Sequence, residues 1–157
     1  MAVYQKLASC DLFSSLSEES LRNLGAYSKA RSFSDGQVLF RENGPAAHLY
    51  AVMEGQVQMK MAVPKGAFSE SEVNLTTAEP GQVIGFWALI EPFVYPFSAV
   101  ALTRGSLVAI DGQKLRSQMG SLPEFGCAIT KQTVVVIAKR LKEAREVLGY
   151  ERASRRL

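Results

Sequence analysis

Along this 157-residue chain the spacing of hydrophobic and polar positions changes period twice. In SSLSEESLRNLGAYSKA, Leu21 and Leu24 form an apolar edge, preceded by Leu12, Phe13 and Leu16. Ser17 followed by Glu18 and Glu19 suits the positive end of a helix dipole, which predicts a helix over residues 18–27. The period then shortens. Asp35-Gly36, Glu54-Gly55 and Pro80-Gly81 are turn pairs that cut the chain into short strand-like runs. After Gly55, Val57, Met59 and Met61 alternate with Gln56, Gln58 and Lys60, the pattern of a half-buried strand. VPKGAFSESE reads as a polar hairpin loop, and VNLTTAE, QVIGF, FSAVALT and SLVAID as further strands. SAVALTRGSLVAI predicts a hairpin turning at Arg104-Gly105. Short strands at this spacing predict an antiparallel sandwich or barrel.

Past Asp111 the helical period returns. GQKLRSQMG predicts a short helix, and the stretch from SLPEFGC to LGYE a long one, with Ser121 as N-cap and Glu124 in the first turn. Val134, Ile137, Leu141, Ala144 and Leu148 fall at alternating spacings of three and four, a seam that Cys127 and Thr130 extend upstream. Val136 and Val147 lie off the seam, where they can pack on the β-region. Two apolar faces on one helix predict two partners: the domain itself and the same helix of a second subunit. A single broad face packed within a monomer is the alternative.

The segment GFWALIEPFVYPFSAV, residues 85–100, does not fit a loop. It holds five aromatic residues, two prolines and one charge, Glu91, whereas surface loops carry polar side chains. It is too short and too proline-broken for a membrane helix. It must therefore connect two strands across one end of the β-region.

Composition narrows the function classes. Hydrophobic content of 47% and charged content of 21% are those of a globular domain. The net charge of +3 is small, but from Lys139 onward seven basic residues stand against three glutamates. That basic tail could touch nucleic-acid phosphates only nonspecifically, and a solvated helix end is the plainer reading. Two cysteines, Cys10 and Cys127, and the single His48 cannot build an ordinary tetrahedral zinc site. No nucleophile–base pair or paired carboxylates emerge, so an enzyme is not expected. The start, MAVYQKLASCDLF, lacks the apolar run of a signal peptide, which predicts a cytoplasmic protein with free thiols and no membrane partner.

The order of helix, β-roll, short helical insert and long helix resembles the cyclic nucleotide-binding domain of catabolite-activator and FNR-like regulators. LFSSLSEESLRNL is similar to the family's opening helix. DGQVLFRENGPAAHLYAVMEGQV carries the turn glycines Gly36 and Gly55, and EPGQVIGFWALI carries Gly81 and Gly85. The resemblance covers residues 12–148. It implies a mainly β fold with flanking helices, a double-stranded β-helix (jelly roll) over residues 1–120. A long dimerisation helix and basic tail follow over residues 121–157.

In the family, a short cassette helix binds a cyclic phosphate, a glutamate after the first glycine binds the ribose, and an arginine pairs with the phosphate. The ligand-binding set implied here is Gly85, Phe86, Trp87, Ala88, Leu89, Phe97, Ser98 and Ala99. Phe86 stands where the glutamate belongs and Phe97 where the arginine belongs. Ala144 and Arg145 stand where a base-reading threonine or serine belongs. Losing a charge-assisted bond costs on the order of 1.5–3 kcal/mol. Lys60, Lys65 or Arg104 would have to restore the charge from a neighbouring strand or loop. The plainer expectation is a pocket that does not hold cyclic AMP in the usual manner. Trp87, Phe93, Tyr95 and Phe97 then either line it for a small anionic or aromatic ligand, with no cofactor implied, or fill it.

Three functions follow. The first is a ligand-sensing regulatory module. The second is a dimeric scaffold with a plugged pocket and a protein partner. The third is the sensor part of a regulator acting without its own helix-turn-helix. Family members that bind DNA continue well past the long helix, and this chain ends at ERASRRL, so sequence-specific DNA binding is not expected of it.

Overall fold

The computed structural model describes residues 1–156. Helix α1 (Val3–Leu7) opens the chain and helix α2 (Glu18–Gly25) follows. The Ser17 side chain accepts a hydrogen bond from the Ser20 N–H, as the Ser-Glu-Glu pattern predicts, but the helix stops at Gly25 rather than at residue 27. The short α1 has no periodic signal in the sequence.

Eight strands follow: β1 (Ser28–Phe33), β2 (Val38–Phe40), β3 (His48–Glu54), β4 (Val57–Pro64), β5 (Glu70–Ala78), β6 (Val83–Ile84), β7 (Ser98–Ala101) and β8 (Gly105–Asp111). They form two antiparallel sheets ordered β1-β8-β3-β6 and β2-β7-β4-β5. This is the expected jelly roll, mainly β with flanking helices. Its turns do not all join paired strands. β1 and β2 flank the Asp35-Gly36 turn but lie in different sheets. So do β7 and β8, which corrects the hairpin predicted at Arg104-Gly105. The correction has a steric side: a Cβ on Gly105 would lie 2.0 Å from the Glu54 carbonyl oxygen, so the chain passes beside the β3–β4 turn as it changes sheet.

The alternation in β4 is half right. Val57 and Met59 are buried and Met61 is half-buried, but Gln58 is buried on the opposite face. Its amide donates to the carbonyls of Met59 and Thr76 at 3.1 and 2.8 Å and accepts from the Thr77 hydroxyl at 3.1 Å. A fully bonded amide can be buried at little cost. The register shifts beside it, where Lys60 pairs with Asn74 and Leu75 is left over. From that bulge outward the β4–β5 hairpin is exposed on its β5 side, with Leu75 at the bulge, Val73 next to it and Phe68 in the tip loop all open to solvent.

Helix α3 (Gly112–Ser121) is capped by Asp111, whose carboxylate accepts the Lys114 N–H at 3.0 Å. Helix α4 (Pro123–Arg155) begins at a proline, with Leu122 at the cap position. Ser121 is therefore the last residue of α3 and not the N-cap of α4; its hydroxyl donates back to the Gln118 carbonyl. Glu124 does lie in the first turn. Phe125, Gly126, Ile129 and Val136 are the buried residues of α4. Val147 is exposed, contrary to the expectation that it packs on the roll. The helix is about 50 Å long, and residues 141–150 are exposed throughout.

Gly126 sits where α3 and α4 meet, and an added Cβ would lie 2.4 Å from the Met119 carbonyl oxygen. Gly120, also helical, has nothing within 4 Å of its Cβ position. Alanine normally stabilises a helix interior by about 0.5–1 kcal/mol over glycine. The two substitutions are thus expected to differ in sign: Gly120→Ala raises the thermal midpoint, whereas Gly126→Ala lowers stability by about 1–3 kcal/mol through overpacking. Differential scanning calorimetry of the two variants checks this.

Candidate functional site

The aromatic segment begins as β6 ends. Gly85 has φ +88°, and a Cβ there would lie 2.9 Å from the His48 carbonyl oxygen, so only glycine lets the chain turn this close to β3. Phe86–Leu89 then form a short 3-10 helix, in which the Ala88 N–H donates to the Gly85 carbonyl at 3.1 Å. Ala88 is fully buried, and Gly112 of α3 leaves space for it: a Cβ on Gly112 would come within 2.9 Å of the Ala88 Cβ. A cis Glu91-Pro92 bond and Phe93 at φ +56° reverse the chain. The return limb is then zipped to the loop before β3. The Asn43 N–H donates to the Tyr95 carbonyl at 2.7 Å, the Tyr95 N–H to Gly44 at 3.0 Å, and the Ala46 N–H to Phe93 at 2.7 Å. This ladder satisfies backbone that apolar side chains cannot, and so allows a greasy connection to exist.

Aromatic side chains gather under the connection. Phe40 stacks on Tyr95 with ring centroids 3.9 Å apart, and lies 5.9 Å from Tyr50 and 6.2 Å from Phe97. Phe97 meets Trp87 edge to face at 5.1 Å. Phe86 and Tyr95 are buried, while Trp87, Leu89, Phe93 and Phe97 are half-buried. The Tyr95 hydroxyl donates to the His48 carbonyl at 2.5 Å. Ser98 is engaged as well: its hydroxyl accepts the Glu42 N–H at 2.8 Å. Ala99 points into the roll, fully buried. The eight sequence-predicted residues, Gly85 to Leu89 and Phe97 to Ala99, thus lie along the connection and the first two positions of β7, and its Trp87, Tyr95 and Phe97 rings gather with Phe40 of β2 and Tyr50 of β3.

The cations near this connection are not those suggested by the sequence. Lys60 stands directly across from Ser98, but its ammonium group lies 3.3 Å from the Glu72 carboxylate. Lys65 begins the loop at the far end of the β4–β5 hairpin. Arg104 packs beside Gly55, at the end of β3 opposite Gly85. Two arginines from the C-terminal helices reach the connection instead. Arg116 of α3 donates to the Ala88 carbonyl and lies 4.0 Å over the Phe93 ring. Arg140 of α4 donates to the Val83 carbonyl at 2.6 Å, lies 5.2 Å from the Phe86 ring and pairs with Asp11 at 3.3 Å. Burial pulls the Arg140 guanidinium below its ordinary value, and Asp11 opposes that shift by favouring its charge. Neither contact has a local sequence signal, although the sequence places both arginines in helices.

On α4, Val134, Ile137, Leu141 and Leu148 are 62%, 43%, 54% and 46% exposed, and Ala144 is exposed beside them. The predicted seam is therefore an apolar stripe uncovered within one chain. Cys127 and Thr130 are also exposed. Among the described residues no three His, Cys, Asp or Glu side chains gather to hold a metal, and no helix is long and apolar enough to cross a membrane.

A β-roll with a glycine-led helical connection between two strands, backed by a long helix, defines a class of regulatory ligand-binding domains. The chain belongs to the cyclic nucleotide-binding domain family, which it matches over residues 30–121. A curated relative, the CRP-like cAMP-activated global transcriptional regulator of Mycobacterium tuberculosis, is 27% identical over 91% of this chain. The chain spans 60% of that relative's length. A solved structure from Geobacter metallireducens, described as a cyclic nucleotide-binding protein, is 28% identical with a TM-score of 0.76, covering 90% of this chain and 99% of that one. The N-terminal domain of a transcriptional regulator from Streptomyces coelicolor is 26% identical with a TM-score of 0.69, covering 91% and 94%.

Burial shifts several groups the same way. Desolvation, helped by Asp11, pushes the Cys10 thiol up to about 12, and desolvation also raises the Tyr27 and Tyr95 phenols. Each stays protonated in the fold at a pH where the unfolded chain has lost the proton. Their stabilisation is thus complete below the unfolded values and is lost as pH rises through the folded ones. The urea midpoint is expected to fall steadily from pH 9 to pH 11. Tyr95→Phe should make that fall shallower while costing about 1 kcal/mol at pH 7 through the lost bond to His48. Chemical denaturation at a series of pH values measures both effects.

Proposed function

We propose that this chain is a non-enzymatic regulatory module of the cyclic nucleotide-binding type whose cassette does not hold a cyclic nucleotide in the usual manner. The observation that carries this reading is the packing of Phe97, in the place of the family's phosphate-pairing arginine, against Trp87 and towards the Phe40–Tyr95 stack. A phosphate in that space would meet aromatic rings in place of a charge partner, and desolvating it there is costly. The two nearby guanidinium groups are committed to carbonyls and ring faces. Phe86 likewise leaves the ribose without its carboxylate.

Output runs through α4. Arg140 ties this helix to the strand entering the cassette, and the exposed stripe Val134–Ile137–Leu141–Ala144–Leu148 suits a parallel partner helix from a second copy. The module therefore acts as a dimeric interaction unit, a plugged form of a fold that relatives use in transcriptional regulators. A second reading, sensing of an aromatic ligand, draws support from the half-exposed Trp87–Phe97 pair at the mouth of the cassette. Trp87 is the sole tryptophan, so its fluorescence reports on any ligand that parts the pair.

Isothermal titration with cyclic AMP and cyclic GMP is expected to give no binding, and micromolar or tighter affinity for either overturns the filled-cassette reading. Light scattering is expected to give twice the 17.2 kDa chain mass. The double substitution Ile137→Glu with Leu141→Glu should halve that mass with the thermal midpoint of the roll unchanged, because both side chains lie outside the monomer core. A wild-type protein of monomer mass sinks the dimer.

A further inference from the structure

A second concave site lies on elements other than the cassette. Strand register places Lys29, Ala109 and Tyr50 in one row across β1, β8 and β3, and Arg31, Leu107 and Val52 in the next. His48 pairs with Asp111 in the row on the other side. Directly paired residues share a face. Val52 and Leu107 are buried and Tyr50 turns towards Phe40, so this is the inner face of the roll. At the β1 edge that face is open. The short side chain of Ala109 leaves a cleft of about 190 Å³, walled by Tyr27, Lys29, Arg31, His48, Asp111 and Lys114.

The charges in this cleft are unbalanced. Lys29, Arg31 and Lys114 are exposed, and none takes part in the ion pairs found among the described residues. Asp111 is the one carboxylate in the wall, and it is turned to the start of α3 as its cap. Three cations against one acid leave two net positive charges around a small polar cavity. Burial and the Arg31 guanidinium pull His48 below its ordinary value, and Asp111 opposes them. The volume lies below the roughly 300 Å³ at which pockets for drug-sized ligands begin. We propose that this cleft binds a small dianion of the phosphate-monoester class, at a site separate from the cassette.

His48 is the only histidine in the chain, so its Hε1 proton resonance is a single, unambiguous probe in the cleft wall, with Phe97→Ala as the control for the neighbouring cassette. The full-length chain is titrated at pH 7.5 with inorganic phosphate and with glycerol 3-phosphate, against sodium chloride at matched ionic strength. A saturable shift with either phosphate compound and none with chloride is expected. Arg31→Gln and Lys114→Gln, both exposed and checked for folding by circular dichroism, should each weaken the affinity about tenfold, the usual loss of a charge-assisted bond. Phe97→Ala should leave it unchanged. Saturation by inorganic phosphate alone keeps the site and narrows its ligand to the free ion. A shift that fails to saturate, that chloride reproduces, that survives both glutamine substitutions or that vanishes in Phe97→Ala overturns the proposal.

Discussion

The structure depends on one half-buried residue near the N-terminus, Asp11. Its N–H donates to Gly81 at 2.8 Å and its carboxylate accepts from the Val83 N–H at 3.2 Å, which holds β6 at the edge of its sheet. The second carboxylate oxygen pairs with Arg140, and its carbonyl accepts the Gln132 amide at 3.0 Å. One residue thus joins the turn after α1, the strand that enters the cassette and the middle of α4. Removing either member of the Asp11–Arg140 pair would leave the other partly desolvated without a counter-charge, which is why such pairs matter most when broken. The half of α4 beyond Arg140 extends from this anchor, and its direction relative to the roll is set there.

The cassette is held together by backbone geometry and by aromatic packing. Backbone terms are intact: a left-handed glycine, a tight helical turn and a ladder to the loop at residues 43–46. Aromatic rings then occupy the volume. Stacked and edge-to-face rings gain dispersion and quadrupole energy beyond simple burial. Arg116 and Arg140 spend their donors on carbonyls and ring faces, which locks the cassette to the two C-terminal helices.

Polar surface on the roll is distributed unevenly. The end of β3 at His48 faces the cationic wall of Lys29, Arg31 and Lys114, while the cassette beside it is apolar. The same strand therefore serves both: Tyr50 stacks towards Phe40 on the cassette side, and His48 opens to the cleft at the β1 edge. The cassette and the proposed anion cleft are neighbours on one inner face with opposite chemistry.

Local features were legible in the chain itself. The Ser17 cap, the turn glycines, the burial of Val57 and Met59, the phenylalanines at positions 86 and 97 and the apolar stripe on α4 each depend on residues a few positions apart, so sequence alone determined them. What joins distant segments was decided only in three dimensions. Which sheet the chain enters after β7 is set by sheet packing, and the Gly105 needed for its passage beside Glu54 reads in the sequence as an ordinary hairpin glycine. Gln58 alternates as a solvent-facing residue, and only the pairing of β4 with β5 brings up Thr76 and Thr77, the cross-strand partners that let it be buried. Arg116 meets Ala88 across 28 residues, Arg140 meets Val83 across 57 and Asp11 across 129. A periodic helix pattern says which face is polar but not what lies opposite it. The physical reason is that period and turn chemistry are short-range steric effects, whereas a guanidinium finds its carbonyl only after the whole chain has folded around it.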